Sequence, residues 1–312
     1  MKKLAVLGAA LALIFTFCFS LTTVRADDSG KELKVLTFNI RLSYGEVGKP
    51  TEWKNRKGLV ADIMRAGDYD FIGIQEAIIT QKPGLNQVED LKALLPEYGL
   101  LTRSRMVSET EGESTPIMWR KDRWEMDEQE HGVFWLSDTP DVPQSITWEN
   151  ACPRTVVWGK FHELADGKRT GRVVYFINTH FDHVSEKARQ LSGVAIADFI
   201  AKHVKEGEVA FVTGDFNSGE NSQALKYLKG EEAEIQAKDV KGPIAMVDTY
   251  RVVNPDEKDV QTFHGFGTVK FSVKIDYILM YGDLKVKSAK IIRDKTDIFP
   301  SDHYPVNAVM EY

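Results

Sequence analysis

Four short apolar runs, each ending in polar residues, constrain the fold of this 312-residue sequence more than any other feature. The runs are rich in β-branched and aromatic residues, which is typical of strands buried inside a sheet. They are 35–38 before Asn39, 71–74 before Gln75 and Glu76, 173–177 before Asn178, Thr179 and His180, and 209–212 before Gly214, Asp215, Phe216 and Asn217. Because functional groups are commonly carried just past strand ends, these polar residues are candidates for a site.

Helical patterns alternate with these strands. Apolar residues recur at helical spacing in 54–65, 87–95 and 185–204, and Ser185 is a plausible cap for the third helix. The sequence also predicts strands at 154–164, 260–266, 275–280 and 303–311, and a long loop at 131–153. Alternating strands and helices, with hairpin-like strand pairs, predict one α/β domain over residues 27–312.

The first 26 residues have the pattern of a secretory signal peptide. Lys2 and Lys3 form a basic start, and no charge follows until Arg25. Small residues at Val24 and Ala26 suit a signal peptidase. The alternative is an uncleaved membrane anchor, because the apolar run is long enough to span a bilayer. We therefore predict export to the periplasm or the medium.

Cleavage would change both the charge and the cysteine content. It would remove Lys2, Lys3 and Arg25, three positive charges, and so change the formal net charge from −6 to −9. An acidic protein lacks the diffuse attraction that drives non-specific binding to nucleic acid, which weighs against a sequence-blind nuclease. Cys18 would also be lost, which leaves Cys152 without an intramolecular disulfide partner.

Asn39 and Glu76 offer oxygen atoms at the ends of two early strands. Mg²⁺ binds oxygen ligands, including one or two carboxylates, and can neutralise the charge of a phosphoryl group. Neither residue is informative alone, since a glutamate after a strand is commonly a solvated terminus. Beside the motifs that follow, both are candidate metal ligands.

The segment 214–217 is a stronger signal. Alternation at a strand end places Asp215 and Asn217 on the same side, where they could share a phosphate, a water and a metal ion. Gly214 would allow a tight turn. The alternative is an Asx turn that closes the strand.

Two histidines lie beside acidic residues at strand ends. Asp302 and His303 directly precede an apolar strand. Asp276 is a candidate to orient His303, because a carboxylate bound to one imidazole nitrogen fixes the tautomer and raises the basicity of the other. His180 is the second strand-end histidine. A lone histidine is usually structural, but two with acidic neighbours indicate catalysis.

In this order, the motifs resemble the endonuclease/exonuclease/phosphatase superfamily over roughly residues 33–312. The resemblance rests on Asn39, Gln75-Glu76, Asn178-Thr179-His180, Gly214-Asp215-Phe216-Asn217, Ile275-Asp276-Tyr277-Ile278 and Ser301-Asp302-His303. It implies a DNase-I-like fold, an α/β class with four layers (an α/β/β/α sandwich), in which helices flank two mixed β-sheets. The site would lie at one edge, where both sheets meet.

The resemblance also implies roles for the central residues. Asn39 and Glu76 look like the Mg²⁺ site, which Mn²⁺ could also occupy, and Asp302 would add a metal contact. Asp215 and Asn217 would orient the attacking water and grip the phosphate.

The histidines and two peripheral residues are assigned in the same way. His303, paired with Asp276, would act as general base or stabilise the transition state. His180 looks like the second histidine of the family, which contacts phosphate or protonates the leaving group, and Glu113 would be its carboxylate partner. Arg154 lies where the family can place a phosphate-binding arginine, although a surface arginine at a strand end is the alternative.

The substrate is less constrained than the chemistry. Lys274-Ile275-Asp276-Tyr277 departs from the Trp-Cys-Asp-Arg signature of inositol polyphosphate 5-phosphatases and is closer to deadenylase-like and sphingomyelinase-like members. We predict first a nuclease-like phosphodiesterase, whose substrate could be a nucleic acid or a nucleotide. The alternatives are a phosphomonoesterase or a phospholipid-headgroup phosphodiesterase. No obligate protein partner is implied.

Two hypotheses from other functional classes remain. One is a catalytically inactive member that serves as a binding module. The other is a zinc site of the metallo-β-lactamase type, since His180-Phe181-Asp182-His183 is similar to its Asp-His part. That motif requires a histidine two residues before His180, where this sequence has Asn178.

Overall fold

Two mixed β-sheets pack face to face in the computed structural model, which describes residues 31–270, 272–293 and 297–312. The predicted signal peptide, 1–26, lies outside the described residues. The strands of the described chain are β1 (Glu32–Asn39), β2 (Phe71–Gln75), β3 (Ala77–Ile79), β4 (Tyr98–Leu101), β5 (Gly112–Ser114), β6 (Ile117–Arg120), β7 (Trp124–Trp135), β8 (Thr155–Ala165), β9 (Lys168–His180), β10 (Val209–Asp215), β11 (Glu232–Ile235), β12 (Lys238–Lys241), β13 (Val247–Asp248), β14 (Asp276–Tyr281), β15 (Lys285–Ile291) and β16 (Val306–Glu311).

The helices of the described chain are α1 (Trp53–Ala66), α2 (Gln87–Leu94), α3 (Glu186–His203), α4 (Gln223–Leu228) and α5 (Thr249–Val253). Within the same residues, no helix combines the length and the apolar character needed to cross a membrane.

The two large sheets share one plan. Their strand orders are β15-β16-β1-β2-β6-β4 and β13-β14-β10-β9-β8-β7. In each sheet the two central strands are parallel, β1 with β2 and β9 with β10, while the neighbours around them are antiparallel. Because the carboxyl ends of parallel strands lie at the same edge of a sheet, the polar residues that end these four strands are gathered together.

Three apolar clusters separate four layers. One joins α1 and α2 to the outer face of the first sheet, and another joins α3 and α4 to the outer face of the second. The third lies between the sheets, where Val35 and Phe71 of the first sheet are packed with Phe176 and Phe211 of the second. The observed architecture is therefore the predicted four-layered α/β/β/α sandwich.

The predicted helices are all present. Helix α3 begins after Ser185, whose hydroxyl accepts a hydrogen bond from the backbone N–H of Ala188, as expected of a cap. The predicted strands 154–164 and 275–280 correspond to β8 and β14.

Three sequence predictions of secondary structure were wrong in part. Residues 260–266 form no ladder, because Gly265 and Phe266 take left-handed backbone angles (φ 56° and 54°), and only Phe263 forms an isolated bridge. The last strand begins at Val306 rather than residue 303, since Pro305 has no N–H to donate. The first five residues of the predicted loop 131–153 belong to β7.

Candidate active site

The polar ends of the central strands meet in a cleft of about 510 Å³ at one edge of the sandwich. Most of the predicted site residues line this cleft: Glu76, Glu113, Arg154, His180, Asp215, Asn217, Asp302 and His303. The other two, Asn39 and Asp276, are buried beneath it and bonded to Asp215 and His303. The fold thus gathers every predicted site residue.

Asn39 links the two sheets at the floor of the cleft. Its amide nitrogen Nδ2 donates to Glu76 Oε1 at 3.1 Å and to Asp215 Oδ2 at 3.0 Å. Its oxygen Oδ1 accepts the backbone N–H of Arg41 at 3.0 Å. Asn39 therefore holds one carboxylate from each sheet in a fixed relation.

The backbone around the carboxylate end of the cleft is strained at two places. Glu76 and Arg41 both have left-handed backbone angles, with φ of 62° and 57°. Such angles are uncommon outside glycine and cluster at functional sites. The turn aims the Glu76 carboxylate back toward β1, where Oε2 accepts the N–H of Leu42 at 3.0 Å.

Arg41 places a positive charge among three carboxylates. Its guanidinium nitrogens lie 3.4 Å from Glu46 Oε1, 3.8 Å from Glu76 Oε2 and 3.6 Å from Asp302 Oδ2. The separations to Glu76 and Asp302 exceed hydrogen-bonding distance, and Arg41 Nε has no hydrogen-bond partner in the described chain. Burial, followed by the charge of Glu76, raises the pKa of Asp302, while the charges of His303 and Arg41 oppose this. These carboxylates therefore form a site that favours a cation.

Arg56, which was not predicted from the sequence, lies beneath the carboxylate end of the cleft and supports it. It is fully buried in α1, and Nη1 donates to the carbonyl oxygens of Ile40 and Pro300, both at 2.7 Å. Nη2 donates to the carbonyl oxygen of Arg41 at 3.2 Å. Arg56 thereby joins the turn that follows Asn39 to the segment that carries Asp302.

Asp215 and Asn217 are both in the cleft, but the predicted reason is wrong. Strand β10 ends at Asp215, and Asn217 has a left-handed φ of 46°. The N–H of Asn217 donates to Asp215 Oδ1 at 2.9 Å, so the Asx turn considered as an alternative is present in the site itself. Gly214 lies within the strand, where an added Cβ would be 2.5 Å from the carbonyl oxygen of Thr179. Close packing, rather than a tight turn, requires this glycine.

His303 and Asp276 form the predicted pair. Nδ1 of His303 lies 2.9 Å from Asp276 Oδ2, which leaves Nε2 facing Asp215 Oδ2 at 3.7 Å. Burial lowers the pKa of His303, but the charge and hydrogen bond of Asp276, with the charge of Asp215, outweigh it and raise the pKa to about 10. Burial, followed by the charge of Asp276, raises the pKa of Asp215.

His180 approaches Asp215 from the opposite side. Its Nε2 lies 3.5 Å from Asp215 Oδ2, and its Nδ1 lies 3.6 Å from Glu113 Oε1 without a hydrogen bond. Glu113 instead pairs with Arg105 at 2.7 Å. Burial, followed by the charge of Arg154, lowers the pKa of His180 to about 3. The predicted pairing of Glu113 with His180 is thus a proximity and not a bond.

Arg154 is buried, contrary to the surface alternative. It is 3% exposed, and Nη2 lies 2.9 Å from His183 Nδ1. Within the described part of the chain, neither Nε nor Nη1 has a hydrogen-bond partner. Nε lies 3.6 Å from Asp182 Oδ2. Arg105 and His183 line the same end of the cleft. Arg105 was not identified from the sequence, since it is an isolated residue outside the strand-end pattern, and His183 was considered only as part of the zinc alternative.

Two groups of potential metal-binding side chains have ligand atoms within 4.8 Å of one another in the described chain: Asp215, Asp276 and His303, and Cys152, Asp182 and His183. The second group does not suit zinc. The oxygens of Asp182 accept backbone N–H groups from Ala151, Val184 and Ser185, and His183 Nδ1 is engaged by Arg154. The contacts of this group therefore disfavour the metallo-β-lactamase alternative.

Gln75 and Asn178 belong to the motifs but lie below the site. Gln75 Nε2 donates to Asn178 Oδ1 at 2.7 Å and to Thr37 Oγ1 at 3.1 Å, and Thr213 Oγ1 also donates to Asn178 Oδ1 at 3.1 Å. Asn178 Nδ2 donates to the carbonyl oxygens of Ile74 and Pro116. We call Thr37, Gln75, Asn178 and Thr213 the inter-sheet network. It joins the two sheets and does not line the cleft.

Comparisons with known proteins agree with this geometry. Residues 36–303 match the sequence profile of the Endonuclease/Exonuclease/phosphatase family. A Bacteroides vulgatus structure of an endonuclease/exonuclease/phosphatase is similar, with 31% identity, a TM-score of 0.77, and coverage of 90% of this chain and 99% of that one.

Two structures from Bacteroides thetaiotaomicron are also similar. One is an endonuclease/exonuclease/phosphatase family protein (27% identity, TM-score 0.74, covering 90% of this chain and 98% of that one). The other is a mannosyl-6-phosphatase (27% identity, TM-score 0.73, covering 90% of this chain and 100% of that one). A comparison with curated proteins found no match.

Proposed function

This chain belongs to the endonuclease/exonuclease/phosphatase family, and on that premise we propose that it is a divalent-metal-dependent phosphomonoesterase acting on a small phosphorylated molecule. The observation that carries the proposal is the arrangement at the cleft floor. Nε2 of His180 and Nε2 of His303 face the same oxygen of Asp215 from two sides, at 3.5 and 3.7 Å. A phosphoryl group between the two imidazoles would meet a carboxylate and two nitrogen groups together.

The residues divide the chemistry between them. Asp215 Oδ2 accepts the proton of the attacking water, and the bond from Asn217 to Oδ1 fixes the carboxylate. Asp276 orients His303 so that Nε2 donates to a phosphoryl oxygen. His180 contacts the phosphoryl group from the other side. Donors aimed at developing charge in a buried site are commonly the largest contribution to catalysis.

Asn39, Glu76 and Asp302 would hold the metal ion. The fit is supported by the carboxylates of Glu76 and Asp302, whose oxygens hard divalent cations prefer and which both face the Arg41 guanidinium. Asn39, whose Nδ2 donates to Glu76 Oε1, would turn its amide to offer Oδ1 to the ion. Such an ion would neutralise charge on the phosphoryl oxygens. Mg²⁺ is the proposed ion, with Mn²⁺ as the alternative.

A small monoester suits the cleft better than the phosphodiester predicted first from the sequence. The cleft has a volume of about 510 Å³, which lies at the small end of the range of ligand pockets and suits a small phosphorylated molecule. The Bacteroides thetaiotaomicron mannosyl-6-phosphatase, a relative of similar length, supports a sugar phosphate. The acidic net charge counts against nucleic acid. The signal-peptide pattern supports export, where such a substrate would be met outside the cytoplasm.

The test is the release of inorganic phosphate from mannose 6-phosphate and p-nitrophenyl phosphate, compared with hydrolysis of bis-p-nitrophenyl phosphate, in Mg²⁺ and in EDTA. We expect turnover of the monoesters that EDTA abolishes and that Asp215→Asn removes. A strong preference for the diester over the monoesters would restore the phosphodiesterase prediction. No turnover of any phosphoester, with the fold intact, would favour the inactive binding module.

A further inference from the structure

The cleft has a second end that the proposed reaction does not use. Three contacts lie between the reacting carboxylate and this second end. Asp215 Oδ2 is 3.5 Å from His180 Nε2, His180 Nδ1 is 3.6 Å from Glu113 Oε1, and Glu113 Oε1 is 2.7 Å from Arg105 Nη1. An imidazole ring and a carboxylate therefore separate the reacting carboxylate from Arg105.

Arg154 supplies the unpartnered groups at this end. Its side chain is more than nine-tenths buried and lines the cleft, yet Nε and Nη1 have no hydrogen-bond partner among the residues that the structure describes. Leaving a buried guanidinium N–H unpaired is costly, so such a group indicates a missing acceptor. Asp182 is the nearest carboxylate to Nε, at 3.6 Å, but its oxygens already accept three backbone N–H groups.

The contact between Arg154 and His183 fixes the tautomer of the histidine. A guanidinium nitrogen can only donate, so His183 Nδ1, 2.9 Å away, is the acceptor. The proton of the neutral ring then resides on Nε2. Because His183 is exposed at the rim and lines the cleft, it presents a donor there.

We infer that Arg154, Arg105 and His183 form a subsite for a second oxyanion, a carboxylate or a further phosphate, carried by the alcohol part of the substrate. Each arginine has a carboxylate neighbour, Asp182 or Glu113, so donors rather than a net positive charge select the ligand. A ligand for these groups must accept hydrogen bonds at several atoms. An oxyanion does so, and charge-assisted bonds from arginine are stronger than those to a hydroxyl. This inference rests on the proposed monoesterase function.

Matched substrates test it. One pair is 3-phosphoglycerate and glycerol 3-phosphate, which differ in a carboxylate. The other is fructose 1,6-bisphosphate and fructose 6-phosphate, which differ in a phosphate. In each pair we measure kcat/KM for release of phosphate in Mg²⁺. We expect a preference of about tenfold or more for the doubly anionic member of at least one pair, and the pair that shows it identifies the oxyanion.

Arg105→Gln should lower the ratio of the two kcat/KM values in that pair toward one. The substitution also frees Glu113 beside His180, but this affects both members of a pair and cancels in their ratio. Arg103→Gln is the matched control, because Arg103 lies on the same segment, pairs with Glu109 and does not line the cleft. Arg154→Gln provides a second test in which folding is checked by circular dichroism. If Arg105→Gln and Arg154→Gln each lowered kcat/KM equally for both members of a pair, the arginines would be assigned to the reacting phosphoryl group and the inference would be overturned.

A binding measurement separates the subsite from the activity. Titration calorimetry of the Asp215→Asn protein in Mg²⁺ compares 3-phosphoglycerate with glycerol 3-phosphate, and fructose 1,6-bisphosphate with fructose 6-phosphate. Tighter binding of a doubly anionic member supports the subsite if this advantage is lost in the double variant Asp215→Asn/Arg105→Gln. That result holds even if the wild type cleaves none of these compounds, in which case only the proposed function fails. Equal binding within both pairs rejects the subsite.

Discussion

Along the four central strands, the polar side chains that point between the sheets have different roles at successive inward-facing positions. Thr37, Asn178 and Thr213 form the inter-sheet network with the side chain of Gln75, which comes from the position paired with Asn39, and every side-chain polar atom of this network has a partner. Two residues further along three of these strands lie Asn39, His180 and Asp215, on the same face because side chains alternate along a strand. We call this upper level, together with Asp276 and His303, the reacting centre. In it, His180 Nδ1 and Asp276 Oδ1 have no hydrogen-bond partner among residues 31–270, 272–293 and 297–312.

The difference separates two uses of buried polar groups. A satisfied network adds to stability and fixes the relative position of the sheets, whereas unpaired groups cost stability. Backbone strain follows the same division, since Glu76 and Asn217, which adjoin the reacting centre, have left-handed angles while the network residues lie in regular strands. Substitutions at the two levels should therefore have opposite effects on activity and stability.

Asp215→Asn should give the largest effect on activity. The change keeps the size of the side chain but removes the proton acceptor, so we expect kcat/KM to fall by about 10³-fold or more. Stability should be unchanged or higher, because the substitution removes a buried negative charge that lies opposite Asp276. Kinetics on a cleaved monoester and urea unfolding measure both effects. A large loss of stability would show that the carboxylate is structural.

Asn178→Ala should do the reverse. It removes one hydrogen bond each from Gln75, Thr213 and the carbonyl oxygens of Ile74 and Pro116 at a buried position, and we expect a loss of about 3 kcal/mol in the free energy of unfolding. The folded fraction should retain kcat/KM within about tenfold, since Asn178 does not line the cleft. Urea unfolding with activity normalised to folded protein is the measurement.

Asn217→Gly is the matched control for Asn178→Ala. Glycine adopts the observed φ of 46° without strain and keeps the backbone bond to Asp215, so stability should fall by only about 1 kcal/mol, from the lost side-chain bond to the carbonyl oxygen of Phe181. Activity should fall because the side-chain amide that lines the cleft beside Asp215 is gone. If both substitutions lowered activity per folded molecule equally, the division between the two levels would be wrong.

The sequence could predict where the polar residues cluster but not how deep each lies. Asn178-Thr179-His180 ends a strand, and alternation correctly places the first and third residues on one face. One is a structural link and the other a site residue, and the choice depends on what the second sheet places opposite them. Asn178 faces Gln75 and Thr213, while His180 faces Asp215 and the open cleft.

The arginines other than Arg154 were missed, and His183 was considered only as part of a zinc motif, for a different reason. Arg41, Arg105 and His183 lie on connecting segments, where no periodicity marks them. Arg56 did carry a signal, since it shares the buried face of α1 with Trp53 and Val60. A charged residue at an apolar helical position needs internal partners, and here they are backbone carbonyl groups.

Gly73→Ala tests how tightly the inter-sheet network is packed. A Cβ at this position would lie 2.1 Å from Thr213 Oγ1 and 2.7 Å from Asn178 Oδ1. We expect a loss of about 2 kcal/mol in the free energy of unfolding, because overpacking displaces bonded groups. Gly58→Ala, on the exposed side of α1 with nothing within 4 Å, is the control and should stabilise by about 0.5–1 kcal/mol. Equal effects at the two glycines would mean that the sheets can separate locally.

Arg56→Lys should have the smallest effect and tests whether the fold or the ligands themselves hold the carboxylate end of the reacting centre. Lysine keeps the charge but cannot reach the carbonyl oxygens of Ile40, Arg41 and Pro300 together. We expect a roughly tenfold weaker affinity for Mn²⁺, about 1.4 kcal/mol, measured by titration calorimetry. Arg65→Lys in the same helix, where the arginine is exposed and pairs with Asp62, should leave that affinity unchanged. An unchanged affinity in Arg56→Lys would mean that Asn39 and Glu76 hold their positions through their own bonds, and that the strain at Glu76 needs no support from α1.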